Sequence, residues 1–158
     1  MRRVFSAALE QHMTENDRIH VLVGDIGYGM FDTIAKRFPK RFWNTGAAEQ
    51  AMIGMGVGIA LSGHIPVCYS ITPFVLWRPA ELIRNYIHGE QVPVILVGSG
   101  RDRDYLHDGP THWCEDDKAL LRLWHNITGY WPDSPQQSVE ALSLAIHRKQ
   151  PTYINLRR

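Results

Sequence analysis

The sequence lacks most of the features that would tie it to several common protein classes. Cysteine occurs only twice, at Cys68 and Cys114, with no Cys-x-x-Cys pair. Neither a disulfide framework nor a structural zinc site is therefore expected, and two reduced thiols fit a cytoplasmic protein. Charge of one sign is not in excess: 17 Lys and Arg stand against 16 Asp and Glu, for a net charge of +1. Without a basic stripe to displace counterions, a nucleic-acid partner is not expected. The longest apolar run covers residues 51–61, short of the about 20 residues a bilayer span requires, so no membrane partner is expected either. The opening "MRRVFSAALEQ" has two arginines but no apolar core of a secretory signal. Neither Gly-x-Gly-x-x-Gly nor Gly-x-x-x-x-Gly-Lys-[Ser/Thr] occurs. "GDIGYG" at 24–29 only superficially looks like a phosphate loop, and its aspartate would repel phosphate.

What is present is an alternation of short β-rich runs and helical patterns. The chain of 158 residues is 44% apolar, enough for one domain that buries roughly 70% of its unfolded surface. Strands are expected at 19–25, 41–45, 65–71, 92–98, 126–131 and 151–156. Several are nearly continuous apolar runs, as in strands covered on both faces. Helices are expected at 4–13, 30–37, 47–61, 80–88, 116–123 and 139–148. Ser134 can cap the last, with Pro135 at its first position and Gln137 completing a Ser-x-x-Gln box. The alternation predicts a three-layer α/β fold, a mostly parallel sheet of about six strands with helices on both faces.

In such sheets ligands collect beyond the carboxyl ends of the strands, and the polar oddities of this sequence gather there. The stretch "NTGAAEQAMIGMGVGIALSG" (44–63) holds one carboxylate, Glu49, at the mouth of a helix that should be buried. Gly54, Gly56 and Gly58 each cost up to about 1 kcal/mol relative to alanine, which suggests close approach to another backbone, such as one at a subunit interface. Burial pushes a carboxyl pKa up and a helix N-terminus pulls it down, a balance suited to exchanging a proton with a ligand nitrogen. Pattern alone equally allows a capping or salt-bridging glutamate. "HDGPTH" (107–112) would hold Asp108 and His112 in fixed relation across a stiff Gly-Pro turn. That arrangement suits hydroxyl recognition or proton transfer, and it also describes a polar surface loop. Its spacing matches no zinc signature, so no metal ligands are assigned. Phe74 and Trp77, three apart just past a strand, read either as core or as a ligand platform.

Taken together, "FPKRFWNTGAAEQAMIGMGVGIALSGHIPV" and "DGPTHW", with "GDIG" before and "PTYINLRR" after, resemble the pyrimidine-binding domain of transketolase-type, thiamine-diphosphate-dependent enzymes. The resemblance runs over essentially the whole chain. It implies that Glu49 matches the catalytic glutamate that hydrogen-bonds the cofactor's aminopyrimidine ring. Phe74 matches the aromatic packed on that ring, and Trp77 a neighbouring one. Asp25 and Ile26 match positions lining the cofactor. Asp108 and His112 match residues contacting sugar hydroxyls, and Arg2 and Arg158 lie near places that hold a sugar phosphate. The implied activity is C–C bond cleavage and formation by ketol transfer, with thiamine diphosphate as cofactor.

The departures shape the rest of the expectation. Sugar transketolases usually carry a further histidine just after the fourth strand, where this chain reads "GSGRDRD". The family's diphosphate-binding motif, a Gly-Asp-Gly followed at a distance by asparagine, is also absent, so residues 1–158 read as a single pyrimidine-binding domain, without the diphosphate-binding and C-terminal domains. A separate chain is expected to bring the diphosphate site and its Mg²⁺, with a heterotetramer as the simplest assembly and a small sugar or keto compound as substrate. The alternatives are a split 2-oxo-acid decarboxylase or synthase subunit, including a relative of deoxyxylulose-phosphate synthase, and a non-catalytic regulatory or assembly domain.

Overall fold

The computed structural model describes residues 1–158. Six strands form one sheet: β1 (Ile19–Val23), β2 (Phe42–Asn44), β3 (Ile65–Ile71), β4 (Ile95–Ser99), β5 (Thr128–Tyr130) and β6 (Thr152–Leu156). Their order is β2-β1-β3-β4-β6-β5, and every pairing is parallel. Alternation along each strand divides the core in two. Ile19, Val21 and Val23 of β1 face α1 (Arg2–Glu15), α2 (Asp32–Arg37) and α7 (Pro135–Arg148), together with Phe5, Leu9, Ile34 and Leu142. Leu22 of the same strand faces the opposite layer. That layer consists of α3 (Glu49–Leu61), α4 (Thr72–Trp77), α5 (Ala80–Leu82) and α6 (Asp117–Leu123), and α5 continues as a π-helical stretch, Ile83–Gly89.

The expected strands all form, but only β3 keeps its expected bounds, and β4 and β5 show why the others are shorter. Residues 92–94 stay outside β4 because Pro93 has no N–H to give to the ladder, and the Val94 N–H turns back to the Val92 carbonyl at 2.8 Å. Residues 126 and 127 stay outside β5. The Asn126 side chain donates to the His88 carbonyl at 2.9 Å, which draws the chain away from the sheet. The cap on α7 is as expected at Ser134, whose Oγ accepts from the Gln137 N–H at 3.2 Å. The Gln137 side chain, however, accepts from the Asp133 N–H rather than closing the box on Ser134.

The expectation for α3 needs correction. Only one of its faces is buried: Glu49, Met52, Ile53, Gly56, Val57 and Ala60. Met55 is 40% exposed and Leu61 70%, and Gly54 and Gly58 are also exposed. Only Gly56 answers a close approach. A Cβ there would lie 2.8 Å from the Cys68 sulfur on β3, a side chain of the same sheet and not another backbone. The apolar character of the outer face is real, but nothing in this chain covers it.

Two histidine pairs link neighbouring elements. His12 on α1 shares a hydrogen bond of 3.0 Å with Ser143 of α7, and its ring lies 6.3 Å from that of His147. His20 lies 5.0 Å from His64, and its Nδ1 is buried without a partner. Burial, first of all, pushes the pKa of both His12 and His20 below the usual 6.5. Below that value the unfolded chain binds these protons more readily than the native one. Their contribution to stability is therefore complete above about pH 6.5 and is lost as pH falls. The melting temperature is expected to drop between pH 7 and pH 5, and His20→Gln to flatten that slope in a circular-dichroism melt.

Candidate functional site

The chain leaves β1 toward β2 on one side and returns to β3 on the other. This reversal opens a crevice at the carboxyl ends of β1 and β3, where parallel sheets bind ligands. Glu49 closes its floor. The carboxylate is 1% exposed. Its Oε1 accepts from the Ser70 hydroxyl at the end of β3, at 2.8 Å. Gly24, just after β1, makes room for it, since a Cβ there would stand 2.9 Å from the same oxygen. Oε2 accepts from Nη1 of Arg78 at 2.7 Å. Above them lies an open cavity of about 590 Å³, walled by Ala47, Ala48, Gln50, Ala51 and Arg78.

Phe74 enters through Arg78, whose guanidinium carbon sits 3.6 Å from the centre of the Phe74 ring. The His112 ring meets Phe74 edge-on at 4.9 Å. His112 is placed by two 3₁₀ turns, Leu106–Asp108 and Pro110–His112, joined through Gly109 at φ +82°. Asp108, at the end of the first of these turns, is exposed and its side chain bonds to no protein group. Trp77 is 48% exposed at the end of α4 and does not wall the Glu49 cavity.

A second cavity, of about 380 Å³, opens on the α1 side of the same sheet edge. Arg2, Arg3 and Arg158 line it with Ile26, Tyr28 and Tyr105. Arg2 and Arg158, from opposite ends of the sequence, are thus brought together. Ile26 belongs to this cavity and not to that of Glu49. Asp25 stands beside it with φ 52°, a strained value for a non-glycine residue. Its Oδ1 accepts from the Tyr28 hydroxyl at 2.6 Å and the Asn44 amide at 3.1 Å. These bonds, Tyr28 first, hold the Asp25 carboxyl below its usual range.

Just after β4, where the resemblance calls for a histidine, the chain reads "GSGRDRD" with Ser99; the next residue, Gly100, has φ +87°, and a Cβ there would lie 2.3 Å from the Tyr105 ring. Tyr105 fills that volume, with its hydroxyl 2.8 Å from Ser99 Oγ and the Arg158 guanidinium 4.8 Å from its ring centre. A buried polar network supports this end of the sheet. Arg101 bonds Asp133, the carbonyls of Pro132 and Asn155, and the Asn155 side chain. Asp117 accepts from Trp131, Tyr153 and Asn155. Sequence reasoning missed Ser70, Arg78, Tyr105, Arg101 and Asp117. For Arg78 a signal was available: an arginine in "TPFVLWRPAELIR", directly after the aromatic pair.

The fold and the crevice define a parallel α/β domain that presents one buried carboxylate, an aromatic and a histidine turn at its switch point. The description "Transketolase, pyrimidine binding domain" matches residues 1–158, and the chain belongs to that family. It is 29% identical over 140 residues to an apulose-4-phosphate transketolase subunit of Actinobacillus succinogenes, covering 89% of this chain and 45% of the relative. It is 29% identical over 162 residues to a 6-deoxy-6-sulfo-D-fructose transketolase subunit of Clostridium sp. (strain MSTE9), covering 100% of this chain and 49% of the relative. Among solved structures, "Split gene transketolase, inactive beta4 tetramer" superposes with a TM-score of 0.87 at 30% identity, covering 99% of this chain and 51% of that one. The chain thus spans about half the length of these relatives. No helix in it is long and apolar enough to cross a membrane.

Proposed function

We propose that this chain supplies the pyrimidine-binding half of a thiamine-diphosphate-dependent, transketolase-like transferase that cleaves and forms C–C bonds by ketol transfer. The observation that carries the reading is Glu49. It is a nearly inaccessible carboxylate, anchored from behind by Ser70, with its second oxygen held only by the half-exposed Arg78 and a ligand-sized cavity adjoining both. That set suits an aminopyrimidine, a flat ring with nitrogens that exchange protons, better than it suits a structural ion pair. A structural pair has no need of an adjoining cavity.

In this reading thiamine diphosphate supplies the electron sink for C–C cleavage. Glu49 holds and exchanges the proton at a nitrogen of the pyrimidine ring. Phe74 flanks the ring. Asp25, Ile26 and Trp77, which lie outside the Glu49 cavity, are assigned to the surface where cofactor and partner chain would meet. His112 and Asp108 address the hydroxyls of the substrate. Arg2 and Arg158 face its anionic end, for which forked guanidinium donors are suited. The relatives' names specify a phosphate and a sulfonate, which fits a cavity lined by three arginines. A separate chain brings the diphosphate site and Mg²⁺, in a heterotetramer of two copies of each. The uncovered apolar face of α3, which starts at Glu49, favours such a contact. The buried free cysteines fit the reducing cytoplasm.

The test is a substrate panel with the chain combined with its diphosphate-binding partner. Aldehyde-dependent ketol transfer is expected, and CO₂ release from a 2-oxo acid would point instead to the decarboxylase reading. In the same assay His112→Ala is expected to raise KM for the sugar about tenfold, the scale of one or two lost hydrogen bonds, with cofactor affinity unchanged. An unaltered KM would remove His112 from the substrate site.

A further inference from the structure

Arg78 engages the two side chains that the proposed cofactor needs, and it does so in the manner of the cofactor. A guanidinium is flat and delocalised, with N–H donors in its plane. Here its central carbon lies 3.6 Å from the Phe74 ring centre, while Nη1 donates to Glu49 Oε2 at 2.7 Å. An aminopyrimidine lying on Phe74 and sharing a proton with Glu49 would make the same two contacts. Two flat groups cannot both take them. At 3.6 Å there is no gap for a ring between Arg78 and Phe74, and the His112 ring already approaches Phe74 at 4.9 Å.

Resting on the functional reading above, we infer that Arg78 occupies the seat of the aminopyrimidine in the lone chain and must vacate it for the cofactor to bind. The attachments are arranged for that exchange. Arg78 is 44% exposed at its side chain and has Glu49 as its only hydrogen-bond partner. Glu49 stays behind when the arginine leaves, because Ser70 holds Oε1. Arg78 itself is in helical conformation between α4 and α5, so its departure is a change of side-chain rotamer, with no refolding. The pairing also keeps the buried Glu49 matched with a counter-charge while no ligand is bound, which spares the fold an unpaired buried charge.

The inference is tested by calorimetric titration of thiamine into this chain. Thiamine carries the aminopyrimidine and lacks the diphosphate, so the partner's site does not contribute. Arg78→Ala is expected to bind thiamine about 3- to 10-fold more tightly than the wild type, the range of a half-exposed ion pair with its aromatic contact removed as competitor. Arg78→Lys keeps the charge but loses the flat fork, and is expected to fall between them. If Arg78→Ala does not fold, Arg78→Met preserves the apolar stem and carries the same expectation. In the wild type the Nε–H resonance of Arg78 should shift on addition of thiamine. Equal or weaker binding by the alanine variant overturns the inference. If Glu49→Gln then loses binding, the functional reading survives without it. If thiamine diphosphate binds neither this chain nor its combination with the partner, the functional reading fails and the inference falls with it.

Discussion

Glu49→Gln is expected to lower turnover of the assembled enzyme by about 10²- to 10⁴-fold, the range for losing a general acid–base group, while leaving the fold in place. Glutamine keeps the volume, and its carbonyl oxygen can still accept from Ser70 as Oε1 does. Its amide nitrogen can neither take up nor release the proton. It also presents donors to Arg78 where a carboxylate oxygen stood, so the arginine should be released. Loss of turnover with an unchanged far-ultraviolet spectrum and a melting temperature within a few degrees would separate chemistry from folding. Near-normal turnover would exclude Glu49 from the reaction, and the buried carboxylate would then be structural.

The largest expected effect on stability lies away from that crevice. Asp117 is 3% exposed, and its Oδ2 accepts from Trp131 Nε1 at 2.8 Å, Tyr153 Oη at 2.9 Å and Asn155 Nδ2 at 2.8 Å. Burial, and then the Asp117 charge, raises the Tyr153 pKa well above its usual value, so that phenol remains a donor. Asp117→Ala would leave the Trp131 and Tyr153 donors without an acceptor, while the Asn155 amide keeps the Tyr153 oxygen at 2.8 Å. The cost is about 3–5 kcal/mol, as for breaking a buried charged network, and the melting temperature should fall by about 6–20 °C. Asp117→Asn, which keeps an acceptor, should lose less. The network reaches Arg101 through Asn155, so the loop that carries Tyr105 and His112 should loosen too. A melting temperature unchanged by Asp117→Ala would mean that water or a rearranged partner satisfies these groups.

How much of this was legible in the sequence varied with the range of the interaction. The parallel sheet was, because strands covered on both faces leave nearly unbroken apolar runs such as "IPVCYSI", buried along its length except at Ile71. The exact strand ends were not. They depend on Pro93 withholding a donor and on Asn126 being drawn to His88, contacts a run of apolar letters does not register. Glu49 stood out as a lone carboxylate, yet its neighbours Ser70 and Arg78, 21 and 29 residues away, appear only once β3 pairs beside β1 and the turn after α4 brings Arg78 to α3. The pairing of Arg2 with Arg158 was reachable through family resemblance alone. The missing histidine reads as a gap in the sequence, and nothing in the letters shows that the Tyr105 ring packs against Gly100 there. The bare face of α3 reads as buried, because an apolar helix gives the same pattern whether its cover is its own chain or another.

The most direct test of the account is a side-by-side measurement of thiamine diphosphate binding and turnover by this chain, by a diphosphate-binding partner chain, and by the two combined in the presence of Mg²⁺. Tight binding and ketol transfer are expected only in the combination, with Glu49→Gln abolishing the turnover. Tight binding and turnover by this chain alone would contradict the account.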